Sequence, residues 1–199
     1  MLTLKRYKTL FFAVFLAGML LFATPTLALI VHVPGTDFSQ LWILGSSRTT
    51  GDYPFNVTAG ENYTVFVGVA NHVGSLSYYL VELKFRNESD PLPDTTLGTP
   101  CPLPSLYNQS VILQDGGSWE KQFTLSFSNV SSSANECVVG TLNVNGVTCV
   151  VNKPATWDPS HRGYYYQLLF ELWMYNADTF QFNDRYCTVW LNMTFSSIS

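Results

Sequence analysis

Charge is what this sequence has little of. Charged residues make up 12% of the 199 residues, which is about half of the usual quarter. Three of the 10 basic residues, Lys5, Arg6 and Lys8, stand at the start of the chain. The other 7 basic and 14 acidic residues leave a net charge of −7. A mildly acidic chain without a basic stripe excludes nucleic acid as a partner.

Patterns that hold metals or cofactors are also missing. The three histidines, His32, His72 and His161, lie far apart in the sequence, and none belongs to a metal-ligand motif. No C-x-x-C pair and no phosphate-binding glycine run occur either. Metal ions and organic cofactors are therefore not predicted.

Catalytic signatures are equally scarce. The chain has no G-x-S-x-G nucleophile motif, and the proximity of Asp158 and His161 in one segment is interpreted as a turn. Glu82 and Glu171 are each predicted in the middle of a strand on a solvent-exposed face. A pair of carboxylates can hydrolyse glycosides, so a secreted carbohydrate-active enzyme is kept as a weaker alternative. The prediction is a protein that is not an enzyme.

The four cysteines, Cys101, Cys137, Cys149 and Cys187, are the only candidates for covalent cross-links. Behind a secretion signal, an even count of cysteines favours two disulfides, with three possible connectivities. The strand parity near Cys149 slightly favours the pairs Cys101–Cys137 and Cys149–Cys187. The other two connectivities remain open.

The N-terminal segment resembles a secretory signal. Basic residues are followed by the apolar run Leu10 to Ala23, then by Pro25 and by small residues that end at Ala28. This order predicts a signal peptide over 1–28. The alternative is an uncleaved anchor, because residues 9–31 carry no charge and are long enough to span a membrane. In both cases the basic start places the rest of the chain outside the cell.

Cleavage after Ala28 would expose a short apolar strand at the new N-terminus. It consists of Leu29, Ile30, Val31, His32 and Val33, and Pro34 and Gly35 follow as a hinge. Such a strand must bury its side chains or pair with an open sheet edge. It could dock into its own domain, or it could end a membrane helix. The hypothesis preferred here is that it is a donor strand that completes the sheet of a neighbouring subunit.

Residues 36–199 are predicted to form one all-β domain. The central feature is a hairpin of strands Thr64–Ala70 and Ser77–Phe85, with a turn at residues 71–74. On its second strand one apolar face alternates with a polar face that is expected to be wet. Further strands are predicted at 38–46, 55–58, 119–127, 138–151, 164–175 and 187–195, where 138–151 is a hairpin around Asn145-Gly146. Eight or so strands of this kind describe an immunoglobulin-like β-sandwich.

A long segment without a predicted strand interrupts this pattern at residues 87–118. Five prolines in that segment exclude regular structure from much of it. A loop of this length in a compact domain is usually functional or covalently restrained, and Cys101 lies in its middle.

Potential glycosylation sites are abundant. Six of the asparagines stand in N-x-S/T sequons, which accept glycans in a secreted protein. They are Asn56, Asn62, Asn87, Asn108, Asn129 and Asn192. At least four are expected to carry N-linked glycans, which would supply the solubility that charge does not.

Two blocks of the sequence resemble a known family. The first runs from Tyr53-Pro54 through Gly60-Glu61-Asn62 and Val67-Gly68-Val69 to Asn71-His72, Gly74 and Tyr78-Tyr79. The second contains Leu168-Leu169-Phe170 and Val189-Trp190-Leu191-Asn192. They resemble an archaeal extracytoplasmic family that is defined as a domain of unknown function. Members carry a membrane segment followed by a β-sandwich. The resemblance covers about residues 38–86 and 164–195, and residues 87–118 depart from it.

The overall layout is also similar to that of the thread filament subunits of Sulfolobales. That resemblance implies that the N-terminal strand of one subunit completes the sheet of the next, with Leu29 to Val33 as the donor. A contact of this head-to-tail kind does not close and propagates into a fibre. The prediction is a structural subunit of a glycosylated filament on the extracellular cell surface, with other copies of the chain as partners. The alternative is a monomeric, membrane-anchored surface glycoprotein with a binding role.

Overall fold

The computed structural model describes residues 7–8, 11–12, 14–19 and 37–195. The first three ranges are helical and form a unit separate from the domain that begins at Phe38. In the part of the chain described, no helix has both the length and the apolar character needed to cross a membrane. The predicted donor strand 29–33, the hinge 34–35 and most of the predicted signal 1–28 lie outside the described residues.

The domain is built almost entirely of β-strands. Within residues 37–195 they are β1 (Phe38–Leu44), β2 (Asn56–Thr58), β3 (Asn62–His72), β4 (Ser77–Asn87), β5 (Tyr107–Leu113), β6 (Ser118–Ser132), β7 (Glu136–Val144), β8 (Val147–Asp158), β9 (Gly163–Asn176) and β10 (Thr179–Thr194). β-Branched and aromatic residues dominate these segments, as expected for strands.

The strands form two layers that face each other. One layer has the order β1-β3-β6-β7-β8 and the other the order β5-β4-β9-β10-β2. A short pairing of Trp157 and Asp158 with Tyr164 and Gly163 joins β8 to β9, so the layers form one curled sheet. The predicted all-β sandwich is confirmed.

The core lies between the two layers. Strand β4 contributes Tyr79, Val81, Leu83 and Phe85, all of them buried, as their alternation predicted. Phe123 of β6 meets Phe170 of β9 edge to face, with ring centroids 5.3 Å apart, and this contact joins the layers. Side chains at every second position thus close the interior.

The predicted central hairpin is wrong. β3 pairs with β1 and β6, whereas β4 pairs with β5 and β9, so the turn between β3 and β4 crosses from one layer to the other. The buried Asn71 holds this crossing, because its amide donates to Ser75 O at 2.7 Å and to Leu113 O at 2.9 Å. Alternation along a strand reveals a buried face but does not identify the partner strand.

The segment 87–118 contains more structure than its prolines suggested. Tyr107–Leu113 is strand β5, which pairs with β4. The preceding residues pack over the outer face of β4 and β9, with a bridge between Asp94 and Thr99. This cover buries Lys84 to 3% and Arg86 to 4% exposure, so the face of β4 predicted to be wet is dry.

Two turns set the register of the later strands. Asn145 and Gly146 adopt φ values of 51° and 86°, and the predicted pairs Val144–Val147 and Leu142–Cys149 are both present. The segment 176–185, expected to be a connection, is instead a tight turn at Ala177-Asp178 followed by the start of β10. Both turn residues have positive φ, which suits a two-residue hairpin.

All four cysteines are free thiols in the structure, and the predicted bridges are not present. Cys101 lies on the outer side of the β4–β9 layer, where its amide contacts Glu171, while Cys137 belongs to the core between the layers. Cys149 lies on β8 and Cys187 on β10 beside Leu41 of β1. Since β1 and β8 are the two outer strands of their layer, Cys149 and the β1 contact of Cys187 lie on opposite sides of the sandwich.

Candidate functional site: an open strand edge and an aromatic cleft

One side of the sandwich is left open. β2 pairs with β10 only at Asn192–Thr194, so within the described residues the β10 edge from Thr179 to Leu191 has no strand alongside it. β1 ends the facing layer on the same side, where the thiol of Cys187 donates to Leu41 O at 3.3 Å. The unpaired N–H and C=O groups of such an edge can take up a further strand.

The inner face of this open edge is apolar. Val189 and Leu191 of β10 are buried, whereas Cys187 and Leu41 are only partly buried at the rim of the core. The chain before β2 turns towards β1, where the hydroxyl of Tyr53 donates to Ile43 O at 2.9 Å. Among residues 37–195, the β10 edge at Cys187 and Val189 therefore has no hydrogen-bonded strand, although β1 lies close beside it.

The opposite side of the sandwich is closed by side chains. Lys153 of β8 forms an ion pair with Asp90 at 2.7 Å, and the amide of Asn87 donates to Pro154 O at 2.8 Å. Further along β8, the thiol of Cys149 donates to Leu106 O at 3.2 Å. These contacts tie β8 to β4 and to the segment before β5.

An aromatic cleft opens near the C-terminal end of β10. Its volume is about 240 Å³, and Phe55, Glu88, His161, Tyr165 and Trp190 line it. Phe55 is 47% exposed and Trp190 is 43% exposed, so both rings present part of their surface to solvent. The buried Tyr165 lies between them, with ring centroids 6.2 Å from Phe55 and 6.4 Å from Trp190.

Hydrogen bonds fix the walls of the aromatic cleft. The hydroxyl of Tyr165 donates to His161 O at 2.7 Å. The backbone N–H of Asn192 donates to Phe55 O at 2.6 Å, which binds the loop carrying Phe55 to β10. Phe55 and Trp190 are therefore presented by backbone that is held in place, a feature of preformed sites.

A charged pair stands at the rim of the aromatic cleft. His161 Nδ1 lies 2.5 Å from Asp158 Oδ2, and the Asp158 carboxylate also accepts the N–H of Ser160 at 2.7 Å. The hydrogen bond to Asp158 raises the pKa of His161, and the bond to His161 lowers the pKa of Asp158. Both shifts favour the charged forms, so the interpretation of these residues as a turn omitted an ion pair that borders the cleft.

Sequons surround the aromatic cleft. Asn56 follows Phe55, Asn87 precedes Glu88, and Asn192 lies two residues after Trp190 on the same strand. Asn56 is exposed, but the side-chain amides of the other two are engaged. Asn87 donates to Pro154 O, and Asn192 donates to Asn56 Oδ1 at 3.0 Å. The three remaining sequon asparagines, Asn62, Asn108 and Asn129, are exposed elsewhere on the domain.

The carboxylates considered for catalysis are not arranged as expected. Glu171 is fully buried, with one oxygen 2.7 Å from Lys84 Nζ and the other accepting the Cys101 N–H at 2.6 Å. Glu82 lies 3.6 Å from the same Lys84 nitrogen, and burial raises its pKa. The expectation that Glu171 faces solvent is wrong, because residues 88–105 cover it. A carboxylate closed off in this way cannot contact a substrate.

His72, the other histidine that the structure describes, belongs to neither of these sites. His72 stacks on Phe38 with ring centroids 4.8 Å apart. In the described part of the chain, no three His, Cys, Asp or Glu side chains come together as metal ligands would. The β10 edge and the aromatic cleft are therefore the two candidate sites considered. Sequence reasoning missed the cleft, although the outward parity of Trp190 was visible.

Comparison with known proteins gives a family but no activity. Residues 33–135 match a family described as a domain of unknown function, DUF1616. This match includes residues 87–118, which the sequence resemblance set apart, and it ends before residues 164–195. That description assigns neither a function nor a source, and no curated protein matches the chain.

Solved structures show only weak likenesses. A β-glucosidase from Listeria innocua is 12% identical with a TM-score of 0.37, and 80% of this chain covers 16% of that one. A β-D-glucoside glucohydrolase from Trichoderma reesei is 12% identical with a TM-score of 0.34, covering 80% and 19%. A chain in the complex of zinc 2-glycoprotein and prolactin inducible protein from human seminal plasma is 9% identical with a TM-score of 0.38. The match covers 82% of this chain and 99% of that one. The chain thus spans less than a fifth of both glucosidases. At these TM-scores none of the likenesses carries an argument.

Proposed function

Because the chain belongs to the DUF1616 family, which has no assigned function, we propose a function from its own features: a structural subunit of a glycosylated filament on the extracellular cell surface. Subunits assemble head to tail, with residues 29–33 of one copy added beside β10 of the next. The observation that carries this proposal is the open edge of β10 opposite β1. The resemblance of the overall layout to archaeal thread filament subunits is a second reason for this proposal.

The dimensions of the two parts agree. A strand rises about 3.3 Å per residue, so five donor residues span roughly 17 Å. The open part of β10, from Thr179 to Leu191, is longer than that. Alternate donor residues Leu29, Val31 and Val33 would face the apolar rim formed by Cys187 and Leu41, and His32 would face away. Backbone pairing supplies the strength of the contact, and the alternate side chains supply its specificity.

The geometry of strand donation explains why a fibre would result. The donor segment precedes β1, whereas the acceptor is the edge of β10, so the two surfaces of one copy differ. A contact between two different surfaces does not close on itself and continues from copy to copy. The low content of charged residues suits a structural surface protein whose solubility comes from glycans, and it suggests no enzymatic role.

Single charges placed in the donor segment test this proposal. The full-length chain is secreted from a host that adds N-glycans, and its products are examined by negative-stain electron microscopy. Val31→Asp places a charge on the buried face of the donor and is expected to abolish filaments. His32→Asp is the matched control, since it adds the same charge on the opposite face and is expected to leave them. Filaments that tolerate Val31→Asp, or a wild-type chain that stays monomeric, would contradict the proposal.

The second candidate is the monomeric, membrane-anchored glycoprotein with a binding role. The aromatic cleft is the observation that favours it, because exposed rings held by a rigid backbone are typical of a binding site. The two candidates differ in the N-terminal segment. Mass spectrometry that finds Leu29 as the first residue supports the filament. Retention of residues 1–28 on a monomer extracted from membranes supports the anchored form.

A further inference from the structure

We propose that the aromatic cleft, lined by Phe55, Glu88, His161, Tyr165 and Trp190, is a carbohydrate-binding site that accepts one pyranose unit of a neutral glycan. This inference goes beyond the assembly described above. It requires only the fold of a single subunit, so it is tested independently of whether filaments form.

The shape and lining of the aromatic cleft match a sugar ring. A pyranose has a face of C–H groups and a rim of hydroxyls, so it needs an apolar platform bordered by polar groups. Phe55 and Trp190 supply exposed ring faces on both sides of Tyr165. The volume of about 240 Å³ suits one monosaccharide unit, and the open mouth allows a chain to continue outward. Burying the two exposed rings under the sugar would be favourable.

The polar groups of the aromatic cleft include a hydrogen-bond acceptor and a hydrogen-bond donor, and the hydroxyls of a sugar need both. Glu88 is an exposed carboxylate and accepts hydrogen bonds. His161 uses Nδ1 in its contact with Asp158, so Nε2 remains as a donor when the ring is protonated. The hydroxyl of Tyr165 is engaged with His161 O and serves to position the wall.

A cation is the main competing ligand, since ring faces and a carboxylate can also hold an ammonium group. Asp158 raises the pKa of His161 and so increases the share of imidazolium at the rim, which can donate a hydrogen bond to a neutral hydroxyl. Binding of tetramethylammonium distinguishes a cation from a sugar in the test below.

Two sources could provide such a glycan. One is a glycan carried by the chain itself, because Asn56, Asn87 and Asn192 border the aromatic cleft. The other is a free glycan from the surroundings. The chemistry is the same in both cases: a neutral pyranose that stacks on Trp190 and Phe55.

The test compares two forms of the full-length chain, one from a host that adds N-glycans and one from a host that does not. The probes are N,N′-diacetylchitobiose, mannotriose and the methyl glycosides of glucose and galactose. Binding is measured by saturation-transfer NMR, which reports contact between aromatic rings and sugar C–H groups. Dissociation constants come from titration of the tryptophan fluorescence.

Three variants assign binding to the aromatic cleft. Trp190→Ala removes a stacking face and is expected to weaken binding by about tenfold or more. Glu88→Gln changes an exposed side chain without threatening the fold and should weaken binding several-fold. Phe180→Ala is the matched control, because Phe180 is an aromatic residue of the same strand at its other end, beside Tyr78 and Tyr175. It should leave the affinity unchanged.

Binding of at least one probe by the unglycosylated form, lost in Trp190→Ala and kept in Phe180→Ala, supports the site. If the glycosylated form then binds equally well, the natural ligand is a free glycan. If it binds poorly until its glycans are removed enzymatically, its own glycan occupies the cleft. Three results would overturn the proposal: no binding of any probe by the unglycosylated form, equal binding by Trp190→Ala, or binding of tetramethylammonium in place of the sugars.

Discussion

At the scale of single residues, the most consequential feature is a buried ion pair under the segment 88–105. Lys84 Nζ touches Glu171 Oε2 at 2.7 Å and also donates to Cys101 O at 2.7 Å. The pair joins strands β4 and β9 and anchors the covering segment to both. Both charges are withdrawn from water, so each depends on its partner.

Removing one charge of this pair should destabilise the domain strongly. Glu171→Gln leaves the buried Lys84 with only the more distant Glu82, at 3.6 Å, as a counter-charge, and the free energy of unfolding is expected to fall by about 3 kcal/mol. Urea denaturation followed by fluorescence measures the change. Glu120→Gln is the control, because Glu120 contacts Arg48 at 3.6 Å on the surface and should cost less than about 1 kcal/mol. Equal losses in both variants would show that the buried pair has no special role.

The neighbouring Glu82 should make stability depend on pH. Burial raises its pKa above the ordinary value of 4.5, and Lys84 only partly opposes this. Between the unfolded and the folded pKa, the folded state holds the proton more firmly, so the contribution of Glu82 to stability falls as pH rises through that window. Glu82→Gln should remove this part of the decline as pH rises above about 4.5, as measured by urea midpoints. A wild-type-like pH profile in the variant would contradict the assignment.

Glycan occupancy should follow the state of each asparagine amide. Asn56, Asn62, Asn108 and Asn129 are exposed and are expected to be modified. The Asn192 amide donates to Asn56, and its carbonyl oxygen accepts the Tyr164 N–H at 3.2 Å, so it is expected to stay unmodified. Glycopeptide mass spectrometry of the secreted chain reports each site separately. A glycan on Asn192 together with an empty Asn56 would contradict this reasoning.

At the scale of elements, the four cysteines lie in one loop and three different strands, and all four are free thiols in the structure. Burial raises the pKa of all four thiols, and that of Cys187 to about 11. Little thiolate therefore forms near neutral pH, and the thiolate is the reactive form. The folded domain should react slowly with a thiol reagent at pH 8, and all four thiols should react after unfolding without a reductant. Fewer than four would reveal a disulfide that this arrangement of strands does not accommodate.

The sequence predicted the positions and buried faces of the strands better than it predicted which strands pair. Alternation located the buried face of β4, and Asn145-Gly146 fixed the β7–β8 register, because both signals are local. The exchange of layers between β3 and β4 depends on contacts of Asn71 with distant residues, which a local pattern does not contain. The same holds for Lys84 and Glu171, whose burial is produced by a segment that lies far from Glu171 in sequence.

The same difference between local signals and long-range contacts applies to the candidate sites. Trp190 could be assigned to the outward face of its strand from parity alone. Its grouping with Phe55 and His161 depends on β2, β9 and β10 meeting at one end of the domain, which the sequence does not disclose. The donor role of segment 29–33 is predicted from composition alone, and the β10 edge proposed to accept it is evident only from the strand order.

At the scale of the whole molecule, the sandwich is asymmetric. The β8 side is joined to the other layer by an ion pair and by hydrogen bonds, whereas on the side of β1 and β10 the β10 edge has no hydrogen-bonded strand among the described residues. An unprotected edge of this length is usually covered or blunted in a soluble monomer. In the proposed filament, a strand from another copy would pair with this edge.

Photo-crosslinking tests this claim most directly. A photoreactive amino acid replaces Val31 in the full-length chain, and unlabelled copies are mixed with ¹⁵N-labelled copies before irradiation. Peptide mass spectrometry then identifies the site to which position 31 attaches. The account predicts cross-links between labelled and unlabelled copies, at residues 185–191 of β10. Cross-links confined to a single copy, or cross-links between copies at the edge of β5, would contradict it.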